Sequence, residues 1–144
     1  MTGPPGVLHM VMPGAVRDPH RPSGGNVYDL RLCGELQRGG WTVHELVVDG
    51  DWPHPGTEAL DRLAAAVRTV PAGASLLVDG LVASAAARVL VPAAARVRLG
   101  VLVHLPLGYD APAARAEEQA VLSAAAAVVA TSDWTRRWLR DAYG

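Results

Sequence analysis

Short apolar runs, each closed by a turn-forming or polar residue, alternate with helical segments along this whole chain, and that alternation leaves few folds open. Val7 to Met12 carries no charge on either face and stops at Pro13-Gly14, as a strand covered by helices on both sides does. Trp41 to Val48, Ser75 to Val78 and Val97 to Val103 read as further strands, with a short fifth near Val128 to Ala130. Between them, Asn26 to Arg38 places Val27, Leu30, Cys33 or Gly34, and Leu36 or Gln37 at helical spacing and closes on Gly39-Gly40. Thr57 opens a helix to about Val70, with Leu60, Leu63, Ala64, Val67 and Val70 as one stripe. Ala83 to about Ala95 is an alanine-rich helix interrupted near Pro92, and Ala113 to Ala126 is another, with Glu117 and Glu118 on a solvated face. Ser132 caps a last helix bearing Trp134, Trp138 and Leu139. The order β-α-β-α-β-α-β-α-β-α predicts right-handed crossovers and an α/β fold, a doubly wound parallel sheet of Rossmann-like type, formed as a single domain over residues 1–144.

Composition agrees with that architecture. Half of the 144 residues are apolar, yet there is no Phe and only four Trp and three Tyr, so small aliphatic side chains must fill the layers. A chain of this length buries roughly 70% of the surface it exposes when unfolded, which is enough for one core. All thirteen basic residues are Arg. Without Lys, a P-loop ammonium, a Schiff base and a pyridoxal attachment are all excluded. A formal net charge of -1 with scattered arginines leaves no electrostatic footprint for nucleic acid. The lone cysteine, Cys33, cannot form an internal disulfide and reads as an inert core residue. No signal-type segment opens the chain and no apolar run reaches the ~18 to 20 residues of a bilayer span, so a cytoplasmic location is expected.

Open parallel sheets bind ligands beyond the carboxyl ends of their strands. Here those ends carry Pro13-Gly14 through Gly25, Asp49-Gly50-Asp51, Asp79-Gly80, His104 to Asp110, and Thr131-Ser132-Asp133. In the stretch RPSGGNVYDL, Gly24 and Gly25 stand where the first helix begins. Unpaired N–H groups and the positive end of the helix dipole can hold an anion there without an ammonium group. The motif is neither G-x-G-x-x-G nor a Walker sequence, and the same glycines would serve equally to turn the chain into the helix. Asp79 fits a helix cap or Asx turn as well as a contact to an acceptor hydroxyl. His104 fits a strand-end histidine bonded to a backbone carbonyl as well as a site residue, and His9 fits a core or interface position. The loop holding Arg17, Asp18, His20 and Arg21 would grip an anionic acceptor or simply be solvated. His20, His44 and His54 show no metal-ligand spacing, so no structural metal is expected.

The run SGGNVYDLRLCGELQRGGWTVHEL resembles the opening of glycosyltransferase family 4, whose members have the GT-B fold. In that family a Gly-Gly pair after the first strand leads into a helix of the type Leu-x-x-x-Leu-x-x-x-Gly-(His)-x-Val. VLVHLPLG is similar to the family's fourth strand with its terminal His, and EEQAVLSAAAAVVATSDWTRRWL to the helix, short strand and Ser-begun helix that follow. The resemblance spans essentially the whole chain, although Gly40-Trp41 stands where the family often has Gly-His.

The resemblance implies the N-terminal, acceptor-side half of a retaining glycosyltransferase of hexosyltransferase type, moving a sugar from a nucleotide-diphosphate donor to an acceptor. Ser23, Gly24, Gly25 and Asn26 would form the loop against the donor diphosphate and the acceptor. His104 would be the catalytic histidine, its neutral imidazole positioning a hydroxyl. Gly14, Arg17, Arg21 and Asp79 complete the candidate acceptor contacts. The nucleotide sugar would be a substrate, with no cofactor and no metal. The family's cationic diphosphate clamp and Glu-rich donor motif belong to a second, C-terminal GT-B domain, so residues 1–144 alone are expected to be inactive. Trp134 and Trp138, with Arg136, Arg137 and Arg140 around them, fit packing against that domain or peripheral attachment to a membrane. The alternative is a stand-alone Rossmann-like binding module for an anionic ligand or a partner subunit, without catalysis.

Overall fold

The computed structural model describes residues 5–144. Five strands, β1 (Val7–Pro13), β2 (Thr42–Val48), β3 (Ser75–Asp79), β4 (Arg98–Val103) and β5 (Ala127–Ala130), form one sheet in the order β2-β1-β3-β4-β5, every neighbouring pair parallel. Helices α1 (Gly24–Arg38), α2 (Thr57–Arg68), α3 (Gly80–Ala83), α4 (Ala87–Ala93), α5 (Leu107–Asp110), α6 (Arg115–Ala124) and α7 (Asp133–Tyr143) make the connections and flank the sheet. The chain is thus an α/β domain with a doubly wound, Rossmann-like parallel sheet.

The uncharged first strand explains itself in this arrangement. Met10, Val11 and Met12 are all fully buried, because successive side chains of a strand point to opposite faces and both faces are covered. Val11 joins the larger core layer with Leu63, Val67 and Leu90, whereas Met10 and Met12 pack with Cys33 and Leu30 of α1. Each fully buried leucine here contributes roughly 1.5–3 kcal/mol relative to exposure. Helix α1 starts because Ser23 Oγ accepts the Asn26 amide at 3.2 Å. It ends as Gly40 takes a φ of +91°, a left-handed conformation that costs glycine little.

Three expectations about the helices are corrected. Val27 of the expected α1 stripe is 50% exposed, and the helix instead buries Asp29 and Cys33, four residues apart on the face toward the sheet. The alanine-rich helix is two short pieces, α3 and α4, and Pro92 lies within α4. The break falls where Ser84 Oγ donates to Glu118 Oε2 at 2.7 Å and the Ala87 amide donates to Glu117 Oε1 at 3.2 Å. Glu118 itself is fully buried, not solvated, because four donors converge on its carboxylate. They are Ser84 Oγ, the Leu107 and Gly108 amides at 2.7 and 3.0 Å, and Tyr143 Oη at 2.6 Å. A charged group survives burial only with partners of this kind.

The strand order positions the site. The chain steps from β1 to β2 on one side, then returns to place β3 on the other side of β1. At such a reversal the connecting segments diverge to opposite faces and open a crevice beyond the carboxyl ends of the two central strands. The segment from Ser23 into α1 and the Asp79-Gly80 corner after β3 both border that crevice.

Candidate functional site

The crevice is a cleft of about 310 Å³ lined by Ser23, Gly25, Asn26, Asp79, His104 and Asp110, among others. The loop after β1, the corner after β3 and the loop after β4 thus meet at one place, and the Gly-Gly loop shares the cleft with His104. The two glycines are not equivalent. A Cβ added to Gly25 would lie 3.0 Å from Cδ2 of His104, whereas one added to Gly24 would meet nothing within 4 Å. The lack of a side chain at Gly25 leaves room for the imidazole, and Gly24 faces open space. The Asn26 amide is taken by Ser23 Oγ and the Val27 amide by Ser23 O at 3.1 Å. As the first two residues of α1, Gly24 and Gly25 present N–H groups with no intrahelical acceptor. Asn26 Nδ2 donates to Ala15 O at 3.4 Å and ties the helix start to the preceding loop.

His104 sits between two carboxylates. Its Nε2 lies 2.8 Å from Oδ1 of Asp29 and 3.4 Å from Oδ2 of Asp79. Asp29 is fully buried on α1, one turn beyond Gly25, and the same helix face therefore supplies both the room for the ring and the carboxylate. Asp79 divides its oxygens. Oδ1 accepts the Leu81 amide at 2.8 Å and caps α3, while Oδ2 faces the imidazole. The capping reading of Asp79 is thus realised, and the residue also lines the cleft. The Tyr28 ring packs edge-on against His104 at 5.2 Å, and Thr135 Oγ1 donates to the His104 carbonyl at 2.8 Å. The histidine is held on all sides, yet 21% of its side chain remains open to the cleft.

The electrostatics follow from burial against pairing. Burial lifts the Asp29 carboxyl to about 7, against the lowering effect of its hydrogen bond to His104. Burial alone would lower His104, but hydrogen bonds and charge from Asp29 and Asp79 outweigh it and raise the imidazole to about 9. Burial alone would raise Asp79, but the imidazole of His104, the neighbouring Asp29 carboxyl and the Leu81 amide together hold it below the ordinary carboxylate range. Where the sequence reading expects a neutral imidazole, the two buried carboxylates bias His104 toward its protonated form. Such a ring donates hydrogen bonds and supplies positive charge beside two unpaired amides, in a chain that has no lysine.

The remaining candidates lie at the margins. Gly14 is required by packing, since a Cβ there would stand 2.1 Å from Oδ1 and 2.9 Å from Cα of Asp49. Arg17 is ion-paired with Glu45 of β2 at 2.7 Å and does not line the cleft. Arg21 lines a neighbouring hollow of about 400 Å³ with Trp52 and His54, which shares Ser23, Asn26 and Leu81 with the cleft. His9 is buried on β1 and stacks on His44 at 4.8 Å, as a core or interface residue. Trp134 and Trp138 set their rings edge-on to Tyr109 at 4.9 and 6.0 Å, and the Arg115 guanidinium lies 5.5 Å over Trp138. Among the described residues no helix is long and apolar enough to cross a membrane.

Of two residues that matter here, Asp29 is not singled out by the sequence reading and Glu118 is taken there for a solvated residue. Asp29 stands four residues after Gly25 and four before Cys33, and that spacing is the one signal that could have revealed it. Glu118 has no comparable signal, because its neighbour Glu117 looks the same in the sequence and is exposed. Geometry and fold together define a Rossmann-like domain with a polar cleft at its strand-order reversal, built around a histidine held by two aspartates. No protein family, curated protein or solved structure matches this chain.

Proposed function

We propose that this chain is the acceptor-side domain of a retaining glycosyltransferase, contributing the Gly24-Gly25 loop and His104 to a site completed by a second, donor-binding domain. The observation that carries the reading is that Gly25 and His104 line one cleft, so close that a side chain at Gly25 would press on the ring. In glycosyl transfer the bond between the anomeric carbon and the diphosphate oxygen breaks, and negative charge grows on the departing diphosphate. Amides of Gly24 and Gly25 at a helix N-terminus, with the His104 imidazolium beside them, stabilise charge that develops there. Asp29 and Asp79 keep the ring protonated and fix its orientation. Asp110 and Ser23 leave polar groups at the rim for a hydroxyl-rich acceptor.

The test has two arms. Titrating the chain with pyrophosphate and with nucleoside diphosphates, followed by amide and imidazole NMR, should shift the Gly24, Gly25 and His104 resonances together. Shifts confined to other faces would overturn the site. Sugar transfer should be undetectable with residues 1–144 alone and appear when the chain is joined to a donor-binding domain. Saturable anion binding without transfer in any such protein would favour the binding-module reading, which rests on the fact that the amides and the imidazolium belong to this domain by themselves.

A further inference from the structure

The cluster of Asp29, Asp79 and His104 has donor capacity that its own hydrogen bonds do not use. Oδ1 of Asp29 reaches His104, but Oδ2 of the same fully buried carboxyl has no hydrogen-bond partner among the described residues. A buried oxygen left in that state costs about 1–3 kcal/mol. The three residues come from three elements, the first turns of α1, the end of β3 and the end of β4. One ligand atom from each lies within 4.8 Å of the other two.

The two separations made by His104 are close to those of a metal coordination sphere. In a tetrahedral zinc site with bonds of about 2.0–2.1 Å, neighbouring ligand atoms stand about 3.3 Å apart. The separations of Nε2 from the two carboxylate oxygens, 2.8 and 3.4 Å, bracket that figure. The supporting contacts also suit metal ligands: Asp79 is anchored through its other oxygen by the Leu81 amide, and the Tyr28 ring packs against the imidazole. We propose that Asp29, Asp79 and His104 form a binding site for one divalent cation of zinc type, with its fourth position open to the cleft. Nε2 then serves as a ligand instead of a proton donor, so the metal-bound state is an alternative to the imidazolium state on which the proposed transfer rests. The open position lies beside Gly25, so the ligand class it takes is an anionic oxygen, from a phosphate or a carboxylate. The site stands on its donor set alone and does not depend on sugar transfer.

The experiment is a zinc titration of the metal-free chain by calorimetry, with imidazole NMR to map the ligand. One saturable equivalent is expected, moving the His104 ring resonances. Asp29→Asn and His104→Ala should each weaken that binding by at least about tenfold, the scale seen when even supporting residues of metal sites are lost. His44→Ala should leave it unchanged, since the His9–His44 stack is the competing imidazole pair. Absence of saturable binding would overturn the proposal, and so would equal affinity in Asp29→Asn. Loss of binding in His44→Ala would overturn it as well. Should the Asp29 and His104 variants fail to fold by circular dichroism, the map on the unaltered chain still decides, because zinc-induced shifts at His9, His20, His44 or His54 and not His104 reject the site. Pyrophosphate shifts recorded before zinc is added report separately on the amide loop.

Discussion

Nε2 of His104 and Oδ1 of Asp29 meet at 2.8 Å across 75 residues of sequence, one at the end of β4 and the other on the buried face of α1. This pair, with Asp79 as its second carboxylate, sets the charge of the cleft. It also links the ionisation of the site to the stability of the fold.

The first prediction concerns pH. His104, raised from its ordinary 6.5 to about 9, binds its proton more tightly folded than unfolded. Its contribution is complete below about 6.5 and is lost as pH rises through about 9. Asp29, raised from 3.8 to about 7, acts in the same direction at lower pH, its contribution fading between those two values. Asp79, held low, contributes above the ordinary carboxylate range and loses that contribution only as pH falls. Unfolding free energy should therefore decline between pH 7 and 9, by up to about 3 kcal/mol if the His104 shift is realised in full. Urea denaturation across that window measures it. Asp29→Asn should lower the His104 ring pKa, read by NMR titration, by about 1 unit or more. An unchanged ring pKa in that variant would show that the pair does not govern the histidine.

Gly24 and Gly25 should respond oppositely to alanine. Gly24 occupies open space on the first turn of α1, so Gly24→Ala should raise stability by roughly 0.4–1 kcal/mol through the unfolded chain. Gly25→Ala presses on Cδ2 of His104, should forfeit that gain, and should displace the ring resonances and weaken pyrophosphate binding. In a transfer-competent protein, Gly25→Val should lower turnover. Identical behaviour of the two alanine variants in thermal melts and ring shifts would contradict the close approach.

The two adjacent glutamates provide a second contrast. Glu118→Ala leaves Ser84, Tyr143 and the Leu107 and Gly108 amides without their shared acceptor, and should cost about 3–5 kcal/mol. Because those amides belong to the segment beneath the cleft, its hydrogen exchange should also accelerate. Glu117→Ala, losing one exposed bond to the Ala87 amide, should cost less than about 1 kcal/mol. Chemical denaturation of both variants separates a buried anchor from a surface group.

Cys33 should be unreactive in the native protein. Burial, followed by the negative charges of Glu45 and Asp29, pushes its thiol up to about 11, and the side chain is almost wholly enclosed. Maleimide labelling at pH 7.5 should proceed only in denaturant. Rapid native labelling would mean that α1 opens away from the sheet.

Much of the architecture is legible along the chain because it depends on local pattern. Uncharged runs such as Val7 to Met12 can be satisfied only where both faces are covered, and an alternation of such runs with helices allows little but a parallel α/β sheet. Strand ends marked by Pro13-Gly14, Asp79-Gly80 and His104 likewise announce a polar rim. The order β2-β1-β3-β4-β5 is not written in any segment, since every crossover of this kind looks alike until strands choose their neighbours. Nor is the inward turn of α1, where the apolar Val27 stands half exposed and the charged Asp29 is enclosed. A side chain's own hydrophobicity sets its preference for burial, but a carboxylate is buried only if donors wait for it. For Asp29 and Glu118 those donors come from distant parts of the chain, and folding alone brings them into place.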